Sequence, residues 1–413
     1  MPFDKPVLII GGGMSGLSLA HALKQKSIPY RIFERDKNPH HRDQGWAMTL
    51  HFCLDFLKKA IDPTHYDTLP AKASVYPRDS ATAVVLVNGR TLETQVLLDQ
   101  PTILARNYAT CRINRPRFRQ WLLEQIDVEW NQRLRSYAAD EGGVTITMED
   151  GKEIHGSILV GADGVNSAVC KQLIGSEEFS RTTTVNPVRA LAGVRWLDKE
   201  AYDLVQAFSS TVFVAHGCLK TGETVAMFVT INDISADGDR YQIFWSLSRY
   251  DPKGTLPRQG TNEGRLNQAK AWASEAFEGS LKQLVLDSPP DTAVTDVNVR
   301  ERPPHEALKF NSTNGRVTLV GDAAHTMTMF RGEGGNHAIL DSMLLATQLT
   351  EAHQDKKSLQ DAVDTYLAEM IPRGSKAVAQ SHQACEFAHK SPEFMAKVMK
   401  SLLKQVEIES DAK

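Results

Sequence analysis

Val7-Leu8-Ile9-Ile10-Gly11-Gly12-Gly13-Met14-Ser15-Gly16 opens the chain, and its reading decides the fold. The first four residues are apolar and mostly β-branched, as a fully buried parallel strand requires. The glycines that follow fit G-x-G-x-x-G through Gly11, Gly13 and Gly16. Leu17 to Gln25 has helical composition, and Tyr30-Arg31-Ile32-Phe33 reads as a second strand ending at Glu34. Each part has a physical task. Gly11 permits a tight turn, Gly13 lets backbone approach a pyrophosphate, and Gly16 lets helix and strand pack closely. The helix start offers free N–H groups and the positive end of its dipole. Glu34, about 20 residues on, is placed to accept hydrogen bonds from a ribose. Glycine clusters also make ordinary turns. Strand, helix, second strand and acid in one order nevertheless predict a site for an ADP-containing dinucleotide.

The bulk properties agree with an ordinary soluble enzyme. At 413 residues the chain can bury a large core and is expected to form two domains. A net charge of -3 and a pI near 6.5 give no electrostatic case for nucleic acid. No stretch approaches the roughly 18 consecutive apolar residues of a transmembrane helix. No apolar signal core precedes the first strand. Cys53, Cys111, Cys170, Cys218 and Cys385 are far apart, with neither C-x-x-C nor zinc-ligand spacing. Reduced thiols in a cytoplasmic setting are expected, and no metal.

Farther along, Ala83 to Val87 and Thr91 to Leu98 flank Asn88-Gly89, a strong short hairpin signal. Asn114 is a candidate N-cap, with Pro116 in the first turn of the helix it would begin. Val194 to Leu197, Ala207 to His216, Thr224 to Ile231 and Gln242 to Ser248 read as strands of a mainly antiparallel sheet. Asp251 to Gly264 reads as a loop, and the chain after Ile339 as mostly helical. The expected segments are 1–73, 105–180 and 291–370 for a dinucleotide-binding domain. Residues 74–104 and 181–290 would form an inserted sheet domain, and 371–413 C-terminal helices.

Two further motifs repeat one theme. Ile158-Leu159-Val160-Gly161 runs into Ala162-Asp163-Gly164, and Val317-Thr318-Leu319-Val320 into Gly321-Asp322-Ala323-Ala324-His325. In each, a buried strand delivers an aspartate to its carboxyl end, where ligands bind in open α/β sheets. The chain after Asp322 should enter a helix whose start includes Gly334, Gly335 and Asn336, with N–H groups free to face a phosphate or an electron-rich ring edge. A capping aspartate at a strand-to-helix turn is the plainer reading of either motif alone.

Taken together, these motifs resemble the single-component FAD-dependent aromatic hydroxylases of the p-hydroxybenzoate hydroxylase type, the group A flavoprotein monooxygenases, and above all their salicylate-hydroxylase-like members. The resemblance implies a Rossmann-like FAD-binding domain with an inserted, mainly antiparallel β-sheet substrate domain and C-terminal helices. It implies that Gly11, Gly13, Ser15 and Gly16 hold the FAD pyrophosphate, with Glu34 and Arg35 at the adenosine ribose. Asp322, after Gly321, would reach the ribityl or pyrophosphate region. Gly332, Gly334, Gly335 and Asn336 would lie beside the isoalloxazine, and Arg42 and Gly45 would cover it. Arg115 would contact the cofactor, and Asp163 would serve both FAD and NAD(P)H. The implied reaction uses NAD(P)H and O2 to hydroxylate or epoxidise an electron-rich, aromatic small metabolite through a flavin C4a-hydroperoxide. It belongs to secondary metabolism, in a monomer or homodimer.

Two positions depart from the family pattern. Cys170 stands where an arginine usually ends the Asp-Gly motif, which removes the expected brace of that turn. Thr326 and Met329 replace prolines frequent near flavin and substrate, which bears on substrate pose. A flavoprotein oxidase, dehydrogenase or isomerase on the same scaffold therefore stays open, as does a non-catalytic flavin-binding protein. A halogenase is disfavoured because W-x-W-x-I-P is missing. No catalytic acid or base is assigned. His325 is read as a structural hydrogen-bonding residue. In the run Arg112, Arg115, Arg117, Arg119 only Arg115 is taken as functional, the rest as a solvated helix face. Trp196, Phe213, Phe228, Phe244 and Trp245 lie on the sheet; one or two of them would roof a substrate and the others pack the core. Met395, Val398, Met399, Leu402 and Val406 recur at helical spacing beside Lys397, Lys400 and Lys404; docking on the chain itself or on a partner copy is expected, with a membrane-surface helix as the alternative.

Overall fold

The computed structural model describes residues 4–41, 45–75, 84–98, 110–209, 211–308 and 314–391, with 394 and 397. The chain divides into two interleaved units. The first comprises Met1–Ser74, Arg115–Thr184 and Arg300–His382, and the second Val75–Asn114, Val185–Val299 and Gln383–Lys413.

A five-stranded parallel sheet organises the first unit, in the order Val317–Leu319, Ile158–Gly161, Val7–Ile10, Tyr30–Phe33, Val128–Glu129. Strands Val317–Leu319, Ile158–Gly161 and Val7–Ile10 are buried throughout, which explains their uninterrupted apolar runs. The chain leaves Val7–Ile10 toward Tyr30–Phe33 on one side, while Ile158–Gly161 pairs on the other. That reversal makes the carboxyl ends of Val7–Ile10 and Ile158–Gly161 a switch point, where open α/β sheets leave a crevice. Helix Met14–Gln25 follows the first strand, and Gly334–His353 packs against it through Ser342, whose hydroxyl donates to the Ser15 carbonyl at 2.8 Å.

The second unit is a seven-stranded sheet in the order Val294–Val297, Val188–Leu197, Tyr241–Tyr250, Thr224–Ile234, Val212–Cys218, Val84–Asn88, Thr94–Leu98. All pairs are antiparallel except Val84–Asn88 with Val212–Cys218. On one face Phe213 and Trp245 are buried, and on that side Arg195 donates to the Leu284 carbonyl of helix Gly279–Leu286 at 3.0 Å. The opposite face carries Val194, Val214, Phe228, Phe244 and Ser246 in adjacent register rows. The fold is thus a Rossmann-like α/β domain with an inserted, mainly antiparallel sheet, as expected.

Three local expectations need correction. The Asn88-Gly89 hairpin forms, with Val84–Asn88 antiparallel to Thr94–Leu98, but its loop is longer than two residues. Asn88 ends its strand, its side chain accepts from the N–H groups of Arg90 and Thr91, and the partner strand starts only at Thr94. Gly89 is there for space: a Cβ would lie 2.6 Å from the Phe277 ring. The expected strand from Ala207 begins at Val212, because Asp198 caps a helix over Lys199–Gln206. The expected loop from Asp251 ends early, since Thr261 caps a helix over Asn262–Ala276. The C-terminal helical-spacing residues, Met395 to Val406, lie outside the described residues.

Buried histidines predict an acid sensitivity. Desolvation lowers His21 to about 4, against the raising effect of the Leu122 carbonyl, and desolvation with the nearby His389 lowers His216 to about 4. Among the described residues neither ring nitrogen of His216 has a hydrogen bond of good geometry, and the nearby Ala388 backbone raises it only slightly against burial. With folded-state values below the unfolded one of about 6.5, only the unfolded chain takes up these protons between pH 6.5 and 4. Stability should therefore fall as pH falls through that window, by about 2 kcal/mol per histidine at pH 5. Urea unfolding of wild type and His216→Leu at pH 7 and pH 5 tests this. The variant should lose less on acidification; equal losses would refute the assignment.

Candidate functional site

The glycine turn is built around close approaches. Gly11 has φ +113°, and a Cβ there would lie 2.3 Å from the Ala162 carbonyl oxygen at the end of the neighbouring strand. At Gly16 a Cβ would lie 2.0 Å from the Gly11 oxygen. These two are required by the protein's own packing. Gly13 differs: nothing lies within 4 Å of where its Cβ would be. A side chain is missing there where only a ligand would approach.

Glu34 is 4% exposed, and its carboxylate already has protein donors. It accepts from Gly12 N–H at 2.7 Å and from Asp36 N–H at 3.0 Å. The acid therefore ties the glycine turn to the end of the second strand. Arg35 beside it is exposed. A second brace comes from a residue that sequence reading placed on a solvated face. Arg119 is 4% exposed, and its guanidinium donates to the Gly12 carbonyl at 2.9 Å and to the Pro39 carbonyl at 2.9 Å. Its only sequence signal was membership of the basic run, since helical phase alone does not show which arginine turns inward.

The two aspartates have different surroundings. Asp163 holds the start of helix Ala168–Ile174, whose cap is Ser167, accepting from Ser167 Oγ at 2.5 Å and from Ala168 N–H at 2.7 Å. Burial raises its carboxyl and these donors oppose the rise. Asp322 is open on one side, and its carboxylate has no hydrogen-bond or ion-pair partner among the described residues. Crowding by protein atoms raises it, opposed by the charges of His325, Arg115 and Arg302. Arg115, half-buried at the start of helix Arg115–Leu123, also lies against Gly45, where a Cβ would meet its Nη1 at 3.2 Å.

Gly321 lies over the first helix, where an added Cβ would be 3.2 Å from Ser15 Oγ. Behind it, Asp341 is wholly buried and accepts from Gly321 N–H at 2.8 Å, His325 Nε2 at 2.7 Å and Arg373 Nη2 at 2.8 Å. Burial pushes Asp341 upward, but His325 and Arg373 outweigh it and hold the carboxyl below its usual range. His325 is a structural ligand of that acid. Arg302 is another residue missed in the sequence. It is 1% exposed and sits under both aspartate turns, bonded to the Val165, Asp322 and Ala323 carbonyls.

Helix Gly334–His353 starts opposite these turns. Gly332 has φ +64° with open space around it, and a Cβ on Gly335 would collide with Met48 Cε at 2.2 Å. The Asn336 side chain is held internally, accepting from His51 N–H at 2.8 Å and donating to the Thr49 carbonyl at 2.9 Å. Arg42 lies outside the described residues. Gly11, Gly13, Ser15, Gly16, Glu34, Gly45, Arg115, Asp163, Gly321, Asp322, Gly334 and Gly335 all belong to the first unit.

This donor set fits a dinucleotide such as FAD. Helices Met14–Gln25 and Gly334–His353 both begin without a side-chain cap, leaving N–H donors for phosphate or a ring edge. Gly13 leaves room, and Asp322 supplies an unpartnered carboxylate for hydroxyls. Metal ligands do not gather: no cluster of three or more His, Cys, Asp or Glu able to hold an ion occurs among the described residues. Among them, too, no helix is long and apolar enough to cross a membrane.

Comparison with known proteins agrees. The FAD binding domain model matches residues 94–381. FAD-dependent monooxygenase thnD of Trichoderma harzianum is 31% identical over 401 residues, covering 91% of this chain and 92% of its own. FAD-dependent monooxygenase vrtH of Penicillium aethiopicum is 28% identical, covering 94% and 93%. Among solved structures, Klebsiella pneumoniae HpxO complexed with FAD and uric acid shares the fold at TM-score 0.73 and 18% identity, over 98% of this chain and 96% of that one. Pseudomonas aeruginosa PqsL in complex with 2-aminobenzoylacetate does so at TM-score 0.74 and 17% identity, over 96% and 99%. The chain belongs to the FAD-dependent monooxygenases, flavoprotein oxidoreductases built on the FAD binding domain.

Proposed function

We propose that this protein uses NAD(P)H and O2 to insert one oxygen atom into an electron-rich, aromatic small molecule. The observation that carries the cofactor part is an Asp322 carboxylate with no partner among the described residues, in the same unit as two helix starts that have no side-chain cap. In this reading the turn at Gly11 to Gly16 and the Met14–Gln25 helix start hold the pyrophosphate. Glu34 accepts from the adenosine ribose while retaining Gly12, Asp322 accepts from the ribityl hydroxyls, and the Gly332–Gly335 loop lies along the ring. Arg115 adds positive charge beside Asp322. Bound FAD supplies the electron relay from nicotinamide to dioxygen; the protein's part is to position the reactants and exclude water.

The acceptor's class is supported by the second unit. On the face of its sheet opposite Trp245, Phe228 and Phe244 meet edge to face at 6.1 Å, beside Val194, Val214 and Ser246. These side chains suit a flat apolar ring with one hydrogen-bonding group. The neighbouring structures hold uric acid and 2-aminobenzoylacetate, both electron-rich rings. A stopped-flow experiment tests the reading. Anaerobic holoprotein mixed with NADPH or NADH should bleach, faster when a phenol or indole acceptor is present. Oxygen should then return the flavin colour with labelled oxygen in the product. Bound flavin that neither nicotinamide reduces, yet a candidate substrate bleaches directly, would replace this reading with an oxidase.

Glu34→Ala is expected to weaken FAD binding by about 1–3 kcal/mol, through lost ribose bonds and a released Gly12 N–H. Flavin fluorescence titration measures it. Unchanged affinity would leave Glu34 a purely internal brace.

A further inference from the structure

The Asp163 and Asp322 turns end neighbouring strands, Ile158–Gly161 and Val317–Leu319, yet no side chain of either turn bonds to the other among the described contacts. One residue spans them. Arg302 Nη1 donates to the Val165 carbonyl at 3.2 Å and to Thr183 Oγ1 at 3.2 Å, beside the first turn. Its Nη2 donates to the carbonyls of Asp322 and Ala323, each at 3.1 Å, in the second. The Arg302 main chain adds a reciprocal pair with Thr326, N–H to O at 2.8 and 2.9 Å. The Phe179 ring covers the guanidinium at 4.3 Å.

Several features separate this arginine from an ordinary buried ion pair. No carboxylate lies in ion-pair range of Arg302 among the described residues, and its Nε has no partner. The thiol of Cys170 nearby is pushed up to about 11 by burial, so it stays neutral at physiological pH and supplies no counter-charge. The cost of burying an unpaired cation is large. Here it is offset by carbonyl oxygens of the two turns, which accept from the guanidinium, and by the charges of Asp322 and Asp163, which raise its pKa from a distance. Lysine has a single compact head and cannot place donors on both turns, whereas the planar guanidinium does so from opposite edges.

We infer that Arg302 is the positioning residue of the FAD site, a guanidinium staple that sets the spacing between the Asp163–Gly164 and Gly321–Asp322 turns. It takes over the brace missing at Cys170, and from a segment more than a hundred residues away. The inference rests on the cofactor reading of Asp322 given above. Its chemistry is non-covalent: carbonyls accepting from the staple are turned away from the ligand side, and Asp322 is held where ligand hydroxyls reach it.

Arg302→Met and Arg302→Lys, prepared as full-length protein, test this through FAD affinity by fluorescence titration and the midpoint potential of bound flavin. Arg302→Met should weaken FAD by about tenfold or more, since several charged-donor hydrogen bonds are lost, and should lower the potential by removing a positive charge near reduced flavin. Arg302→Lys should restore the potential toward wild type and leave the affinity weakened. A folded Arg302→Met protein that binds FAD within about twofold of wild type would overturn the inference, whatever its melting temperature. If the methionine variant does not fold, Arg302→Lys decides by the same criterion: wild-type affinity overturns the staple. Wild-type protein that takes up no FAD would instead sink the cofactor reading itself.

Discussion

Asp322→Ala is expected to purify nearly colourless from cells that yield a yellow wild type. The reason is that this carboxylate has no hydrogen-bond or ion-pair partner among the described residues and stands above its usual pKa, burial outweighing the charges of His325, Arg115 and Arg302. Removing it should leave the melting temperature of the flavin-free protein unchanged or slightly raised. The loss falls on the ligand. Two hydroxyl donors to a charged acceptor contribute about 1.5–3 kcal/mol each, so FAD affinity should drop by about a hundredfold or more. Flavin content at purification and fluorescence titration measure it directly. A variant that retains stoichiometric FAD would show that Asp322 is a bystander, and would remove the central support of the proposed function.

The second large effect is structural. Asp341→Ala should destabilise the protein by about 3–5 kcal/mol, because it leaves His325, Arg373 and the Gly321 N–H buried without their common acceptor. Urea unfolding measures this, and a loss under about 1 kcal/mol would mean that the network is not needed. Its pH signature follows from sign. Asp341 is held below its usual range when folded, so its contribution is complete above the unfolded value of about 3.9 and lost as pH falls through the folded one. Asp341→Asn should therefore flatten the acid limb of the stability curve that remains after the histidine contributions are removed.

The contrast between these acids explains what was legible beforehand. Strand, glycine turn, helix and second strand at residues 7–34 are contiguous, and each is specified by neighbours within a few positions. The same holds for the strands before Asp163 and Asp322. Alternation and turn chemistry likewise announced an antiparallel sheet, but its edges moved where a cap intervened, at Asp198 and Thr261. Caps act over three residues and are easily masked by β-branched neighbours. The Asn88-Gly89 signal found its hairpin but not the loop length: Val84–Asn88 pairs antiparallel with Thr94–Leu98 through a longer turn, in which Gly89 also makes room for the Phe277 ring.

The partners of the candidate site residues were not legible at all. Asp163 and Asp322 end similar strands in similar words, yet the first holds the start of its own helix and the second is left open. Asn336 reaches His51 across 285 positions, Arg119 reaches Gly12 across 107, and Arg302 reaches Val165 across 137. By itself, then, the sequence determined the parallel dinucleotide-binding architecture, because local periodicity and glycine geometry act along the chain. Only the tertiary structure decided which charged groups brace that architecture and which remain available to a ligand. A buried donor or acceptor must find its partner wherever the fold brings one, and that choice leaves no mark on the residues nearby.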